Sequence, residues 1–184
     1  DDVQALLDEN KVELVLHDER FAGEPIEVRF VGKLRSDQEA ALAGMLGHDT
    51  GILCAPTAFG KTVTAAALIA QRGVNTLVLV HRTELLQQWK ERLQAFLGAD
   101  KKTVGSIGGG KAKPTGIIDV AVMQSLSRQG EVSEQVKNYG QIIVDECHHL
   151  SAFSFEAILK AAPARFVLGL TATPIRRDGQ QPII

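Results

Sequence analysis

Short apolar runs alternate along the chain with segments in which apolar residues recur every three or four positions. The runs are typical of strands buried on both faces, and the spacing between them is typical of helices. The predicted strands are GILC, NTLVLV, VAVM, QIIVD and RFVLGL, which begin at Gly51, Asn75, Val120, Gln141 and Arg165. The predicted helices are one capped by Ser36 and those over 61–71, 83–96, 125–138 and 153–161. This alternation predicts an α/β fold, a mostly parallel sheet with helices on both faces.

Two further segments carry their own predictions. The runs Val12–Leu16 and Ile26–Val31 are rich in β-forming residues and are separated by Gly23 and Pro25, which predicts a short β-hairpin before the α/β unit. The glycine-rich stretch Gly108–Lys113 is typical of a mobile loop.

Composition narrows the class of protein. The 184 residues are 45% hydrophobic and 23% charged, which fits one α/β domain with a sizeable core. A net charge of −2 disfavours a broad basic face, so any contacts with nucleic acid would have to come from local loops. The cysteines Cys54 and Cys147 are isolated, and the apolar runs are shorter than a membrane span. We therefore expect a reduced, cytoplasmic protein without a membrane segment, and a monomer.

The segment APTAFGKT follows the first core strand and opens a helical pattern. A strand, a tight glycine-containing turn and a helix N-terminus are the parts of a phosphate-binding loop, in which backbone N–H groups surround a polyphosphate. Lys61 would bring its charge to the β and γ phosphates, Gly60 would allow close approach, and Thr62 would offer a hydroxyl to Mg²⁺. The loop residues Thr57, Ala58 and Phe59 complete the predicted nucleotide site. Ala55 stands where the strict pattern has glycine.

A second apolar strand ends in the acidic pair of IIVDECHH. Asp145 would hold Mg²⁺ directly or through water. Glu146 would orient or deprotonate the attacking water, because successive side chains at a strand end point in opposite directions. Together the two motifs predict a nucleoside triphosphatase.

The order of motifs resembles the first half of superfamily 2 helicases and translocases. The resemblance covers about Phe30 to Arg177 and is greatest to the DExH branch that includes type III restriction-subunit-like and XPB-like DNA helicases. It implies a RecA-like domain that uses ATP and Mg²⁺. The motifs that carry it are LRSDQ, APTAFGKT, VHRTELLQQW, VMQSL, DECHH and LTATP, which begin at Leu34, Ala55, Val80, Val122, Asp145 and Leu170.

The resemblance also implies roles for residues outside the phosphate loop. Gln38, with Arg35 nearby, would recognise adenine. The nucleic-acid backbone would contact Arg82 and Thr83, where a helix N-terminus also offers donors, and it would contact a second pair of residues, Gln124 and Ser125. His148, Thr171 and Thr173 would couple the phosphate site to the TAT segment. Trp89, on the apolar stripe of its helix, is predicted to lie in the core.

The resemblance predicts three parts: an extension over 1–33, a first RecA-like domain over 34–177, and over 178–184 the start of a linker to a second RecA-like domain that these residues do not include. In this family the second domain supplies an arginine finger, so the chain alone should be nearly inactive. The expected parent is an ATP-driven helicase or translocase acting on DNA more readily than RNA. Two alternatives stay open: a nucleotide-regulated module that binds RNA or protein, and another P-loop phosphotransferase, such as a small-molecule kinase.

Overall fold

The computed structural model describes residues 6–7, 9–13, 15, 17–128, 131–147 and 152–172. The strands are β1 (Thr50–Cys54), β2 (Thr76–Val80), β3 (Val104–Gly108), β4 (Lys111–Lys113), β5 (Ile118–Val122), β6 (Ser127–Arg128), β7 (Glu131–Val132), β8 (Gln141–Val144) and β9 (Phe166–Thr171). The helices are α1 (Ser36–Leu46), α2 (Lys61–Arg72), α3 (Thr83–Leu97), α4 (Met123–Leu126) and α5 (Ala152–Ala161). Two 3₁₀ turns span Thr57–Phe59 and Glu134–Asn138.

In these ranges, seven strands form one sheet in the order β1, β9, β8, β2, β5, β3, β4, and β6 pairs separately with β7. Every neighbouring pair in the large sheet is parallel except β3 with β4. The carboxyl ends of β1, β9, β8, β2 and β5 therefore lie along one edge, where open α/β sheets place their ligands. The predicted mostly parallel sheet with helices is confirmed.

Side chains of the central strands alternate between two buried layers. Val78 and Val80 point into a cluster with α1, α2 and α3, whereas Leu77 and Leu79 point into a cluster with α4, α5 and the second 3₁₀ turn. All four are fully buried. This burial on both faces explains why the strands read as continuous apolar runs.

The predicted hairpin before the α/β unit is wrong for Ile26–Val31, which belongs to no strand; two residues of its proposed partner run lie outside the described ranges. The predicted alternation of inward-facing side chains is nevertheless present, since Ile26, Val28 and Phe30 pack against the core. The backbone instead bonds to helix ends: Ile26 N–H donates to Gly73 O at 2.8 Å, and Val31 N–H donates to Phe96 O at 2.8 Å. The segment is thus fastened to α2 and α3 by two backbone hydrogen bonds, in place of the ladder that a hairpin partner would have provided.

The glycine-rich stretch is an ordered β-hairpin, contrary to the mobile loop that its composition predicted. Its turn is Gly109-Gly110, with φ angles of 62° and 79°. Positive φ at both central positions is what a tight two-residue hairpin requires. The helix predicted over 125–138 is also wrong in extent, because α4 ends at Leu126 and the small β6–β7 pair and a 3₁₀ turn follow.

The amino-terminal edge of the sheet is tied together by the buried side chain of Asn75. Its Nδ2 donates to Asn138 O at 2.6 Å and to Gly116 O at 3.3 Å, and its Oδ1 accepts from the N–H groups of Glu24 and Gly140, both at 3.0 Å. The loops that lead into β2, β5 and β8 meet at this one amide.

Candidate functional site: a phosphate loop beside an acidic pair

The loop after β1 has the geometry of a phosphate-binding turn. Ala55 N–H donates to Thr171 O at 2.9 Å, which continues the pairing of β1 with β9 past Cys54. Thr57 and Ala58 are exposed on the 3₁₀ turn. Gly60, at φ 87° and ψ 42°, reverses the chain into the first turn of α2. A residue with a Cβ is strained in this left-handed region, which accounts for glycine here.

Lys61 occupies the centre of the site. It is 7% exposed, and its ammonium donates to Ala55 O at 3.0 Å. The nearer carboxylate oxygen of Glu146 lies 3.9 Å from the same nitrogen. Asp145 and Glu146 follow Lys61 by 84 and 85 positions in the sequence. The neighbouring carboxyl ends of β1, β9 and β8 bring them together with the lysine.

The acidic pair follows β8 directly and its two side chains diverge. Asp145 N–H donates to Leu79 O at 2.9 Å, so the backbone is still held beside β2. Glu146 has φ 48°, an uncommon value for a residue with a side chain, and it is the residue that reaches Lys61. Such backbone strain clusters at functional sites. Burial raises the pKa of the Asp145 carboxyl; the hydrogen bond from Trp89 opposes the increase and the charge of Glu146 adds to it.

Helix α3 contacts both residues that were predicted to bind Mg²⁺. The indole N–H of Trp89 donates to Asp145 Oδ2 at 2.7 Å. Arg92 donates to the hydroxyl oxygen of Thr62 at 3.3 Å. Sequence reasoning correctly placed Trp89 in the core but missed this bond. The available signal was that a buried indole N–H needs an acceptor.

Gln38 and Arg35 converge on the phosphate loop. The Gln38 amide, 2% exposed, donates to Phe59 O at 2.7 Å and accepts from Arg35 N–H at 2.9 Å. The Arg35 guanidinium donates to the same Phe59 carbonyl at 2.9 Å and lies 5.8 Å from the centre of the Phe59 ring. The structure thus brings the two residues predicted to recognise adenine to the edge of the loop. Arg35, and not Ser36, is the N-cap of α1.

The residues predicted to contact nucleic acid are all exposed and lie at adjacent strand ends. Arg82 and Thr83 begin α3 after β2, and Gln124 and Ser125 lie on α4 after β5. Gln124 Nε2 donates to His81 O at 3.4 Å, which joins the two segments. A Cβ at Gly109 would lie 3.1 Å from Thr83 Cγ2, so the β3–β4 turn borders the same face.

The residues predicted to couple the two sites fall partly outside the described ranges. Thr171 ends β9, is buried, and accepts the Ala55 N–H through its carbonyl oxygen. It therefore joins the TAT segment to the phosphate loop through the backbone. His148 and Thr173 lie outside the described residues.

A family model described as type III restriction enzyme, res subunit, matches residues 32–176. The chain belongs to this family. The resemblance found in the motifs is thereby confirmed: these residues are an N-terminal RecA-like domain of superfamily 2, in its XPB-like branch.

Curated relatives of the res-subunit domain include the DNA 3'-5' translocase XPB2 of Sulfurisphaera tokodaii, 37% identical over 153 residues that cover 82% of this chain and 33% of the relative. The DNA 3'-5' helicase XPB of Mycobacterium tuberculosis is 32% identical over 164 residues, which cover 85% of this chain and 30% of the relative. The chain thus spans about a third of the length of these relatives.

Among solved structures, the UvsW helicase from bacteriophage T4 superposes with a TM-score of 0.70 at 18% identity, covering 97% of this chain and 71% of that one. The Sulfolobus solfataricus SWI2/SNF2 ATPase core in complex with dsDNA gives a TM-score of 0.62 at 20% identity, covering 84% and 34% of the two chains. At these identities the comparison establishes the RecA-like fold.

The side chains of the res-subunit site fit a magnesium nucleotide. A hydroxyl and carboxylates supply the hard oxygen ligands that Mg²⁺ prefers, and an ammonium supplies a charge for phosphate. The absence of a side chain at Gly60 lets Gln38 lie against the loop, because a Cβ there would lie 2.6 Å from Gln38 Nε2. Thr62 and Asp145 would hold the ion, and Lys61 would hold the phosphates.

None of the helices in the described ranges has the length and apolar composition needed to cross a membrane.

Proposed function

We propose that this chain is the ATP-binding first motor domain of a DNA helicase or translocase. The observation that carries the proposal is the approach of the Lys61 ammonium to within 3.9 Å of Glu146 across neighbouring strand ends. A phosphate-binding cation and a carboxylate that can activate water stand together there, as nucleotide hydrolysis requires.

The chain's own residues divide the work. Gln38 and Arg35 hold the loop and border the place of the adenine. Lys61 exchanges its bond to the Ala55 carbonyl for a phosphate oxygen. Glu146 orients water and accepts its proton. Thr62 and Asp145 would hold Mg²⁺, which would neutralise part of the charge of the phosphates.

The proposed nucleic-acid surface is formed by Arg82, Thr83, Gln124 and Ser125 at the same edge of the sheet. These exposed donors suit the phosphate backbone, which carries affinity without sequence readout. DNA is favoured over RNA by the names of the XPB relatives, a DNA 3'-5' translocase and a DNA 3'-5' helicase. The proposal also includes a cytoplasmic location, a monomeric state without a membrane partner, and coupling by His148 and Thr173 together with Thr171.

The proposal includes a second RecA-like domain in the parent protein. An arginine finger from such a domain is worth about 10³ to 10⁵ in rate, so the 184 residues alone should bind ATP but hydrolyse it very slowly.

The test combines binding of a fluorescent ATP analogue with ATP turnover by this chain, each with and without single- and double-stranded DNA and RNA. Lys61→Ala should weaken nucleotide binding at least about tenfold, since bonds to charged groups contribute about 1.5–3 kcal/mol. Glu146→Gln should bind nucleotide and remove the residual turnover. Lys137→Ala is the matched control, because Lys137 also pairs with a glutamate, Glu134 at 2.7 Å, on the opposite side of the sheet.

Each outcome decides a separate part of the proposal. Binding unchanged in Lys61→Ala would overturn the nucleotide site. Vigorous turnover stimulated by nucleic acid would overturn the requirement for a second domain. Tighter binding to RNA than to DNA would overturn the choice of DNA.

A further inference from the structure

One face of α3 contacts both proposed protein ligands of Mg²⁺. Trp89 and Arg92 are three positions apart and so are neighbours on the helix surface. Trp89 bonds to Asp145 at 2.7 Å, and Arg92 bonds to Thr62 at 3.3 Å. No other helix in the described ranges donates a side-chain hydrogen bond to either ligand.

The bond between Trp89 and Asp145 lies in the interior. Trp89 is 2% exposed and Asp145 is 9% exposed. Trp89 belongs to the same buried apolar cluster as Leu86 and Leu93 of its own helix, so the direction of its N–H follows the position of α3. The bond occupies one carboxylate oxygen and thereby fixes the orientation of the other. Groups that orient a metal ligand in this way commonly change metal affinity about 10-fold to 100-fold when removed.

The other end of α3 lies on the proposed nucleic-acid face. Its first residue, Thr83, is exposed beside Arg82 and next to the Gly109 turn. Trp89 follows within two helical turns, at about 1.5 Å of rise per residue. A shift of the helix N-terminus on binding a phosphate backbone would therefore move the indole, and with it the Asp145 carboxylate.

We propose that Trp89 is a positioning residue for Asp145, and that α3 couples nucleic acid at its N-terminus to the affinity of the Mg²⁺ site. This inference rests on the proposed function, because it assumes that Asp145 holds Mg²⁺. Trp89 acts through Asp145 and does not contact the reacting atoms.

The first experiment is calorimetric titration of ADP into the protein, with Mg²⁺ and with EDTA, for wild type, Trp89→Phe and Tyr139→Phe. Tyr139→Phe is the matched control: its hydroxyl donates to the buried Asp119 carboxylate, also at 2.7 Å, away from the loop. Trp89→Phe should weaken ADP binding in Mg²⁺ about 10-fold or more and leave binding in EDTA unchanged. Tyr139→Phe should match wild type in both.

The inference is overturned if Trp89→Phe binds magnesium ADP as wild type does, or loses the same factor in EDTA. The proposed function fails separately, when wild type itself shows no binding that depends on Lys61. If Trp89→Phe does not fold, benzothienylalanine at position 89 replaces it, because sulfur in place of the indole N–H keeps the ring shape and removes the donor.

The second experiment measures the coupling. Duplex DNA should change the affinity of wild type and of Tyr139→Phe for magnesium ADP about 5-fold or more. In Trp89→Phe the effect of DNA on the affinity for magnesium ADP should fall below about twofold, because the coupling depends on the hydrogen bond that this variant lacks. No effect of DNA on wild type, or an equal effect on all three proteins, overturns the coupling.

Discussion

The side-chain amide of Gln38 donates a 2.7 Å hydrogen bond to the carbonyl oxygen of Phe59. A buried side chain of α1 thus holds the phosphate loop one residue before Gly60. The phosphate loop is therefore held by the side chain of Gln38 as well as by the backbone conformation of Gly60. Substitutions can distinguish these two contributions.

Gly60→Ala should lower both stability and nucleotide affinity. Its φ of 87° is left-handed, where a Cβ costs about 1–2 kcal/mol. The new Cβ would also lie 2.6 Å from Gln38 Nε2, so the amide must leave Phe59. Gly116→Ala is the control, with φ 76° and open space around the Cβ. Thermal unfolding should show a loss for both variants, larger for Gly60→Ala because the Gln38 bond is lost as well, whereas ATP-analogue binding should weaken only for Gly60→Ala. Equal binding by both would contradict the role given to Gln38.

At Glu146, glycine should be tolerated better than alanine. Both remove the carboxylate and its contact with Lys61, but only alanine keeps a Cβ at φ 48°. The relief of about 1–2 kcal/mol exceeds the entropy cost of glycine, about 0.5–1 kcal/mol. Urea unfolding should therefore rank Glu146→Gly above Glu146→Ala by about 0.5–1 kcal/mol. The reverse order would show that the backbone relaxes when the carboxylate is absent. Neither variant should hydrolyse ATP.

Asn75→Ala should be among the most destabilising single substitutions. It leaves the carbonyl oxygens of Asn138 and Gly116 and the N–H groups of Glu24 and Gly140 without their side-chain partner. We expect a loss of about 2–4 kcal/mol in urea unfolding, since each unsatisfied buried group costs about 1–3 kcal/mol and water can recover part. Gln87→Ala, which removes an exposed bond to Glu91, should change stability by less than about 0.5 kcal/mol. Comparable losses in the two variants would disprove the special status of Asn75.

Gly44→Ala should stabilise the domain. Gly44 lies in the interior of α1, is exposed, and a Cβ there meets nothing within 4 Å. Alanine is favoured over glycine at such a position by about 0.5–1 kcal/mol. The measurement is the midpoint of thermal unfolding, with unchanged ATP-analogue binding as the control. A lower midpoint would indicate that the α1 backbone departs from a regular helix.

The sheet and the phosphate site were predictable because their signals are local. Strands such as Thr76–Val80 are buried at every position and apolar after Thr76, and the loop that ends at Lys61 is recognisable by its residue types. The same local signals failed for Ile26–Val31. Its alternation correctly identified the buried positions, but the hydrogen-bond partners are helix ends far away in the sequence.

The features that could not be predicted from the sequence depend on side-chain hydrogen bonds between residues distant in the sequence. The bond from Trp89 to Asp145 joins residues 56 positions apart, and the bond from Gln38 to Phe59 joins residues 21 positions apart. Neither pair shares a motif, and each requires the strand order before it can be drawn. Likewise, composition suggested a loose segment at Gly108–Lys113, where register with β3 makes the two turn glycines a tight hairpin.

The four hydrogen bonds of the Asn75 side chain have an evolutionary consequence. They fasten the end of the sheet that faces away from the phosphate loop, where the chain enters its central strands. Residues at the opposite, carboxyl-terminal edge of the sheet can therefore change during evolution, and substrate preference with them, while the hydrogen bonds of Asn75 remain. A motor domain built in this way can change its nucleic-acid substrate with little effect on its folding stability.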